Sequence, residues 1–282
     1  MDRARRALIV GLYVFGFVVL LTGQEPPPPP RPGPPVVSLS VEETEAFLIK
    51  AKIVRKKGIS KGVTDPIQAT LSDGRLTHDA QIQTVDIHRP TFEAGKASEV
   101  NFKDTYRFNI GGYRLARLLG LNNVPMSVER VVEGKPAAMT WWIDDVMFDE
   151  GGRLKEKNML GPDPERTSKQ MHVMRVFDEL IQNRDRNRGN MVWTKDWTLW
   201  MIDHTRAFRT GKNLLNPDQL TRCERSLFAA MRTLTLERLE EVMGKIMQDD
   251  EIKAVLARRD LLVKHFEDRI AVRGEAAVLF SM

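Results

Sequence analysis

The feature that most constrains the fold is a run of eight polar or glycine residues at 183–190, set between an apolar helix and an apolar hairpin. The helix is predicted over Ser168–Gln182, because its apolar residues recur on one face. Two apolar and aromatic strands, Met191–Trp193 and Trp197–Ile202, follow the polar run. The run holds an acid, candidate metal-binding amides and three arginines, so it gives the strongest indication of chemistry in the chain.

The expected hairpin register brings two oxygen ligands together. If the strands pair about Asp196, we expect Asn190 to lie opposite Asp203, with Cα atoms about 4.5–5.5 Å apart. An amide oxygen and a carboxylate would then converge on one hard cation such as Mg²⁺, which prefers a few oxygen ligands together with substrate phosphates. Asp185 lies on the loop just outside, where it can accept a proton from a hydroxyl nucleophile.

Each of these residues also has a structural interpretation. Asp185 can cap the loop after the helix, Asn190 can turn the chain, and Asp203 can end a strand. Taken separately these interpretations are favoured, but the matched spacing of all three favours a site. The three arginines of the loop, at 184, 186 and 188, either steer phosphate or form a solvated basic surface. We expect His204 to pack or to form a hydrogen bond.

The rest of the chain predicts an α+β protein with two lobes. A capping box at Ser40–Glu43 opens a helix through about Ala51. Strands are then expected over 67–71 and 80–85, a helix over 104–119, and further strands over 124–132 and 137–143. An almost wholly helical tail is expected over 218–274. A β-rich front and a helix-rich back predict an N-lobe over 38–145 and a C-lobe over 146–282.

The polar loop and the hairpin resemble a known family. Asp185, four residues, Asn190 and then a hydrophobic hairpin ending in Ile202-Asp203 resemble the catalytic loop and metal-binding aspartate of atypical kinases. The nearest groups are the HipA-like kinases, the secretory-pathway kinases and the phosphatidylinositol 3- and 4-kinases. The resemblance implies a two-lobed protein-kinase-like fold with an ATP cleft between the lobes. It also implies Asp185 as catalytic base and Asn190 and Asp203 as ligands of Mg²⁺ or Mn²⁺.

The sequence departs from the kinase pattern at two positions that normally carry charge. A kinase of this kind holds the nucleotide phosphates with a lysine on the third strand, paired with a glutamate on the next helix. The lysine position falls on Gln83 and the glutamate position on Asn109. A hydrogen bond between these two residues would replace the ion pair structurally but would supply no cation. Lysines elsewhere are candidate substitutes, namely Lys61, Lys96 and Lys103.

Two functions therefore stay open at this point. One is a Mg²⁺-dependent, ATP-using phosphotransferase, and the other is a nucleotide- or metal-binding pseudokinase that acts as a membrane-anchored binding module. The pair Trp141-Trp142 either walls an adenine pocket at the connection between the lobes or packs in the core. The phosphoacceptor, a protein or a small molecule, is not indicated by any motif.

The N-terminus predicts targeting to a membrane. Arginines at 3, 5 and 6 precede an apolar run over 7–21, so 1–23 is expected to be a signal peptide or an anchor. The segment 24–37 holds eight of the fifteen prolines and is expected to be a stiff linker. The positive-inside rule then places the folded domain on the non-cytoplasmic side of the membrane.

Composition excludes some classes of site and leaves the partner open. Cys223 is the single cysteine, so the chain has no intramolecular disulfide and no cysteine-based zinc site. The formal charge of +5 suits anionic partners without selecting one. Nucleic acid is not favoured, because the basic residues are not interleaved with aromatic residues that could stack on bases.

Overall fold

The structure is a computed structural model, and it describes residues 39–58, 67–94, 97–155 and 159–282. Leu39–Met282 forms one compact unit. The expected signal or anchor segment (1–23) and the expected proline-rich linker (24–37) lie outside the described residues. Across the described ranges, no helix combines the length and the apolar character needed to cross a membrane.

Helices and strands alternate in the order expected of an α+β protein. The helices are α1 (Val41–Lys50), α2 (Arg107–Leu118), α3 (Glu150–Lys155), α4 (Pro164–Ile181), α5 (Arg225–Thr233), α6 (Leu236–Met243), α7 (Asp249–Arg273) and α8 (Glu275–Val278). The strands are β1 (Lys52–Gly58), β2 (Ile67–Ser72), β3 (Thr77–Gln83), β4 (Asp86–Ala94), β5 (Ala97–Thr105), β6 (Ser127–Val132), β7 (Lys135–Trp141), β8 (Val146–Asp149), β9 (Met191–Thr194), β10 (Leu199–Met201), β11 (Cys223–Glu224) and β12 (Leu279–Phe280).

The N-lobe is built on a five-stranded antiparallel sheet with the strand order β1-β2-β3-β7-β6. The predicted capping box opens α1: the Ser40 hydroxyl accepts from the Glu43 N–H, and the Glu43 carboxylate accepts from the Ser40 N–H. α1 packs on the sheet through a small apolar core that includes Phe47, Leu48 and Met139. The expected helix and the hairpin of β2 and β3 are therefore confirmed.

A long hairpin between β3 and α2 was not predicted. β4 and β5 pair antiparallel from Asp86 with Thr105 to Ala94 with Ala97, and they form a separate two-stranded sheet. The expectation that the next helix begins near Asp104 is wrong, because Asp104 still pairs with Ile87 in this hairpin. α2 begins only at Arg107, where the strand pairing has ended.

The C-lobe is mostly helical and carries a small sheet of the order β10-β9-β8. α4 begins at an Asp163 cap that accepts from the Arg166 N–H, and it packs against α7 in the larger apolar core. Arg258 of α7 is fully buried, with hydrogen bonds to the carbonyl oxygens of Leu180 (2.8 Å) and Arg209 (2.7 Å). These bonds fix α7 to both ends of the polar loop and hairpin region.

Candidate active site

The polar loop begins where α4 ends. Gln182 adopts a left-handed conformation (φ 48°) that terminates the helix after Ile181. The side chain of Asn183 then bridges helix and loop: its Nδ2 donates to Asp178 Oδ1 (3.1 Å) and its Oδ1 accepts from the Asp185 N–H (3.0 Å). Asp185 is thereby held at a fixed place, with its side chain 38% exposed and open to a reactant.

Asn190 is oriented by the same loop. Its Nδ2 donates to the carbonyl oxygen of Asp185 at 3.0 Å. Because an amide has one nitrogen and one oxygen, this bond leaves Asn190 Oδ1 as the atom available to a cation. The Asn187 side chain accepts from the Gly189 N–H at 2.8 Å and shapes the intervening turn. Asp185 and Asn190 are therefore brought together, as the sequence predicts.

The hairpin register differs from the prediction by one residue. Met191 pairs with Met201, and the turn is centred on Asp196 as expected. This register places Ile202 opposite Asn190, and the Ile202 N–H donates to the Asn190 carbonyl oxygen at 3.1 Å. Asp203 lies one residue beyond the paired strands. Its left-handed backbone (φ 54°) turns the chain out of the strand at this point.

Arg186 joins loop, hairpin and helix in one network. Its guanidinium pairs with the Asp178 carboxylate, with the closest contact at 2.9 Å, and donates at 2.7 Å to the carbonyl oxygens of both Asn190 and Ile202. The same group lies 3.0 Å from His204 Nε2. Neither expected role, phosphate steering or solvated surface, describes this buried arginine, which holds the loop to the hairpin.

His204 is a packing residue, as expected. It is 2% exposed, and the contact with Arg186 makes its Nε2 an acceptor, so the ring is neutral with its proton on Nδ1. Burial first and the Arg186 charge second hold the pKa of His204 well below its usual range. Gly112 of α2 lies against the ring, where a methyl group would approach Cγ to 3.2 Å. The glycine thus permits the close packing of α2.

The two uncharged positions form the hydrogen bond that the sequence predicts. Asn109 Nδ2 donates to Gln83 Oε1 at 2.8 Å, and both side chains are buried. Asn109 Oδ1 accepts from the backbone N–H of His204 at 2.7 Å. The pair therefore ties β3 and α2 to the residue that follows Asp203, but it brings no positive charge.

The lysines proposed as substitutes divide into two groups. Lys103 is buried and engaged in the C-lobe, where its Nζ lies 2.6 Å from Gln248 Oε1 and 2.5 Å from Glu251 Oε1. It is therefore unsuited to bind a nucleotide, and this expectation is wrong. Lys61 and Lys96 lie outside the described residues.

Asp104 is an acidic neighbour of the site that sequence reasoning missed. It is 9% exposed, and its Oδ1 has no hydrogen-bond partner. Burial is the largest cause that raises the pKa of Asp104, and the charges of Asp203 and Asp185 raise it further, while Thr205 and the charge of Arg206 oppose the shift. Its burial depends on tertiary contacts of the unpredicted hairpin, so no sequence pattern marks it.

Asp203 has a similar environment. Burial raises the pKa of Asp203, Asp185 raises it further, and hydrogen bonds from Thr205 oppose the shift. The Thr205 hydroxyl donates to Asp203 Oδ1 at 3.0 Å. Carboxylate and amide oxygens are the ligand types that a hard divalent cation prefers, so Asp104, Asp203 and Asn190 are chemically suited to bind one.

The acids do not all converge on one point. Within the described ranges, no group of three or more His, Cys, Asp or Glu side chains is arranged to hold a metal ion. Asp185 instead forms an ion pair with Arg206, with 3.7 Å between Asp185 Oδ1 and Arg206 Nη1. A cation here would therefore be bound by at most two carboxylates together with Asn190.

The β4–β5 hairpin reaches the segment after Asp203. Glu99 of β5 forms ion pairs with Arg206 (3.2 Å) and Arg209 (2.7 Å). Both guanidinium groups also lie over the ring of Phe102, at 5.1 and 5.3 Å. The hairpin thus helps to fix the arginine that lies beside Asp185.

The two tryptophans have different surroundings. Trp141 stacks on His78 with ring centroids 3.7 Å apart and contacts Phe47 edge-on, so it packs with the N-lobe sheet. Trp142 is partly buried in the connection between β7 and β8, and its backbone N–H donates to the Asp79 carbonyl oxygen. Two surface grooves of about 500 and 660 Å³ lie along β1 instead of at the acids, and neither includes Trp142.

Comparisons with known proteins identify the fold. No family model and no curated protein matches the sequence. Among solved structures, hydra Fam20 with sugar superposes with a TM-score of 0.66 at 14% identity, over 86% of this chain and 92% of that one. The Golgi casein kinase with Mn/ADP bound gives 0.64 at 14% identity, over 84% and 78%. The Helicobacter pylori proinflammatory kinase CtkA gives 0.52 at 11% identity, over 80% and 97%.

These similarities and the order of the elements agree with the resemblance inferred from the polar loop. A β-rich N-lobe and a mostly helical C-lobe are joined through the connection that holds Trp142. The chain therefore has the two-lobed protein-kinase-like fold seen in atypical kinases, among them a secretory-pathway kinase.

Proposed function

We propose that this protein is a divalent-metal-dependent phosphotransferase that uses ATP. Asp185 is the catalytic base, and Asn190 and Asp203 are the ligands of Mg²⁺ or Mn²⁺. The observation that carries the proposal is the hydrogen bonding of Asn190: its amide nitrogen is held by the Asp185 carbonyl, so its oxygen remains available to a cation. The similar Golgi casein kinase is described with Mn/ADP bound, which supports the same class of cofactor here.

The residues of the chain have distinct tasks in this proposal. Bound metal neutralises charge on the nucleotide phosphates. Asp185 accepts the proton of the acceptor hydroxyl, for which its exposed carboxylate is suited. Arg186 keeps the loop and the hairpin in register by bonding to the carbonyl oxygens of both Asn190 and Ile202. Trp142, at the connection between the lobes, is proposed to contact the adenine.

Replacement of Asp203 by alanine tests the proposal. We expect nucleotide-dependent phosphoryl transfer by the detergent-purified full-length protein to fall by about 10²–10³-fold or more, since a group that stabilises transferring charge is lost. The assay follows radiolabelled γ-phosphate from ATP with Mg²⁺ or Mn²⁺, and thermal shifts with ATP, ADP and GTP follow binding. The matched control is Asp218→Ala, which removes an exposed acid of the C-lobe. Unchanged transfer by Asp203→Ala would refute the proposal.

A second function is favoured by one specific observation. The Gln83–Asn109 pair is buried and neutral, so the usual cation for the phosphates is missing from this position. This arrangement supports a pseudokinase that binds nucleotide or metal and presents a kinase-like surface to a partner. Sustained ATP turnover by the purified full-length protein would exclude it. Metal-dependent stabilisation by ATP without turnover would favour it.

Partners and location follow from the same proposal. The partners are a nucleotide and a phosphoacceptor, either a protein or a small molecule. The N-terminal segment 1–23 is proposed to export the domain or to anchor it on the non-cytoplasmic side of a membrane. Protease protection of the domain in intact and permeabilised cells tests this location.

A further inference from the structure

Asp104 is a buried acid without a full set of partners. It lies at the end of β5, is 9% exposed, and leaves Oδ1 without a hydrogen bond. A buried carboxylate oxygen without a partner costs free energy, so native structures normally pair such groups or place them against a metal ion. The unpaired atom therefore calls for a ligand that the chain itself does not supply.

No cation of the described residues meets this need. In the ranges that the structure describes, no lysine, arginine or histidine forms an ion pair with Asp104. Its neighbour Lys103 is paired with Glu251, and the nearby Arg206 is engaged by Glu99 and Asp185. The charge of Arg206 lowers the pKa of Asp104, but within the described ranges no group forms a hydrogen bond with Asp104 Oδ1.

The segment that holds Asp203 is fixed to the same strand end. The Thr105 N–H donates to the Thr205 carbonyl oxygen at 2.9 Å, which joins β5 to the chain just after Asp203. The Thr205 hydroxyl donates to Asp203 Oδ1 at 3.0 Å, and Thr205 also opposes the rise in the pKa of Asp104. One hydroxyl proton cannot satisfy two carboxylates, and the charge of Asp203 raises the pKa of Asp104, so these neighbouring acids are short of positive charge.

We propose that Asp104 is a second carboxylate ligand of the divalent cation, beside Asp203 and the amide oxygen of Asn190. This inference rests on the proposed function. It agrees with the finding that no three acids of the described residues form a metal cluster, because Asp185 stays outside the set as the base. A bond from Asp104 to the metal would also give the N-lobe, which carries Gln83 in place of a lysine, a direct contact with the metal-nucleotide complex.

A protonated Asp104 is the alternative explanation of the unpaired oxygen. Asp104→Asn separates the two, because asparagine resembles the neutral acid in shape but lacks the charge that attracts a cation. If Asp104 binds metal, the substitution lowers metal affinity while the metal-free fold keeps its stability. If Asp104 is simply a neutral acid, the substitution changes neither property.

The experiment measures Mn²⁺ binding to the full-length protein by electron paramagnetic resonance of free Mn²⁺, with and without ADP, and records the metal-free melting temperature. We expect Asp104→Asn to raise the Mn²⁺ dissociation constant by about tenfold or more, on the scale of other groups that support metal sites. Its metal-free melting temperature should equal or exceed that of the wild type. The matched control is Asp86→Asn, an exposed acid on the other strand of the same hairpin, which should bind as the wild type does.

The outcomes separate this inference from the proposed function. Wild-type affinity in Asp104→Asn, with binding lost in Asp203→Asn, would overturn the role of Asp104 and leave the proposed function intact. No Mn²⁺ binding by the wild type would overturn both. A metal-free melting temperature well below the wild-type value would show that the carboxylate serves the fold, and would also overturn the inference.

Discussion

The acids Asp104, Asp185 and Asp203 form an acidic centre that neighbours the Gln83–Asn109 pair, since Asn109 accepts from the His204 N–H, and the two regions differ in charge. At the centre, Asp104, Asp185 and Asp203 influence one another electrostatically. At the pair, a neutral hydrogen bond of 2.8 Å joins the two positions that the kinase resemblance assigns to an ion pair. One region is rich in carboxylates, and the other carries no charge.

This difference separates two tasks of the kinase ion pair. The structural task is retained, because Asn109 binds both Gln83 and the backbone of His204 and so connects β3 and α2 to the segment that holds Asp203. The electrostatic task is not retained, because neither the Gln83 nor the Asn109 side chain carries a positive charge that could neutralise a phosphate. A kinase-like fold can therefore keep its lobes joined at this position without the cation that binds nucleotide.

The largest expected effect concerns the charged region. Asp185→Asn should lower kcat by about 10²–10⁴-fold, because the general base is lost. Metal-dependent stabilisation by ATP should persist, since the Asp185 carbonyl oxygen that holds Asn190 is part of the backbone. Steady-state kinetics and thermal shifts measure the two effects, with Asp218→Asn as the control. Equal loss of binding and turnover would show that Asp185 does not act as a base.

An effect of intermediate size on ATP affinity is expected when charge is introduced at the Gln83–Asn109 pair. The double variant Gln83→Lys with Asn109→Glu should tighten ATP binding by about tenfold, because a charge-assisted hydrogen bond contributes roughly 1.5–3 kcal/mol. A glutamate at 109 still offers an acceptor to the His204 N–H. Calorimetric titration with ATP and Mg²⁺ measures the change.

The single variant Gln83→Lys is the matched control for the double variant. It places an unpaired charge at a position that is only 2% exposed. Its free energy of unfolding should therefore fall by about 1–3 kcal/mol or more. If the double variant binds ATP no better than the wild type, the missing cation does not limit nucleotide binding.

The smallest effect on catalysis is expected for Arg184, which precedes Asp185 in the acidic centre. Arg184 is exposed beside Asp185, unlike the buried Arg186. Arg184→Ala should raise KM only a few-fold at low salt, through weaker steering of anions, and the difference should vanish at high ionic strength. A salt-independent loss would instead indicate a direct contact with the substrate.

The sequence predicted the elements whose signals are local. The capping box of α1, the hairpin of β2 and β3, and the loop that joins Asp185 to Asn190 all depend on residues close together in the chain. The hydrogen bond between Gln83 and Asn109 was also expected, because the kinase pattern aligns both positions.

The parts that were missed depend on distant contacts. Lys103 was considered free for phosphate, but its partner Glu251 is 148 residues away. The burial of Asp104 and the network of Arg186 likewise arise from packing between separate elements. The register error at Asp203 has a different cause, since a left-handed residue at the strand end cannot be inferred from alternation alone.

The most direct test of the account is the position of a bound metal. Crystals of the full-length protein grown with Mn²⁺ and ADP would be measured at the manganese absorption edge, where anomalous scattering locates the ion. The account predicts an anomalous peak in contact with the Asp203 carboxylate and the Asn190 amide oxygen. A peak elsewhere in the protein, or nucleotide bound between the lobes without metal at these two residues, would contradict it.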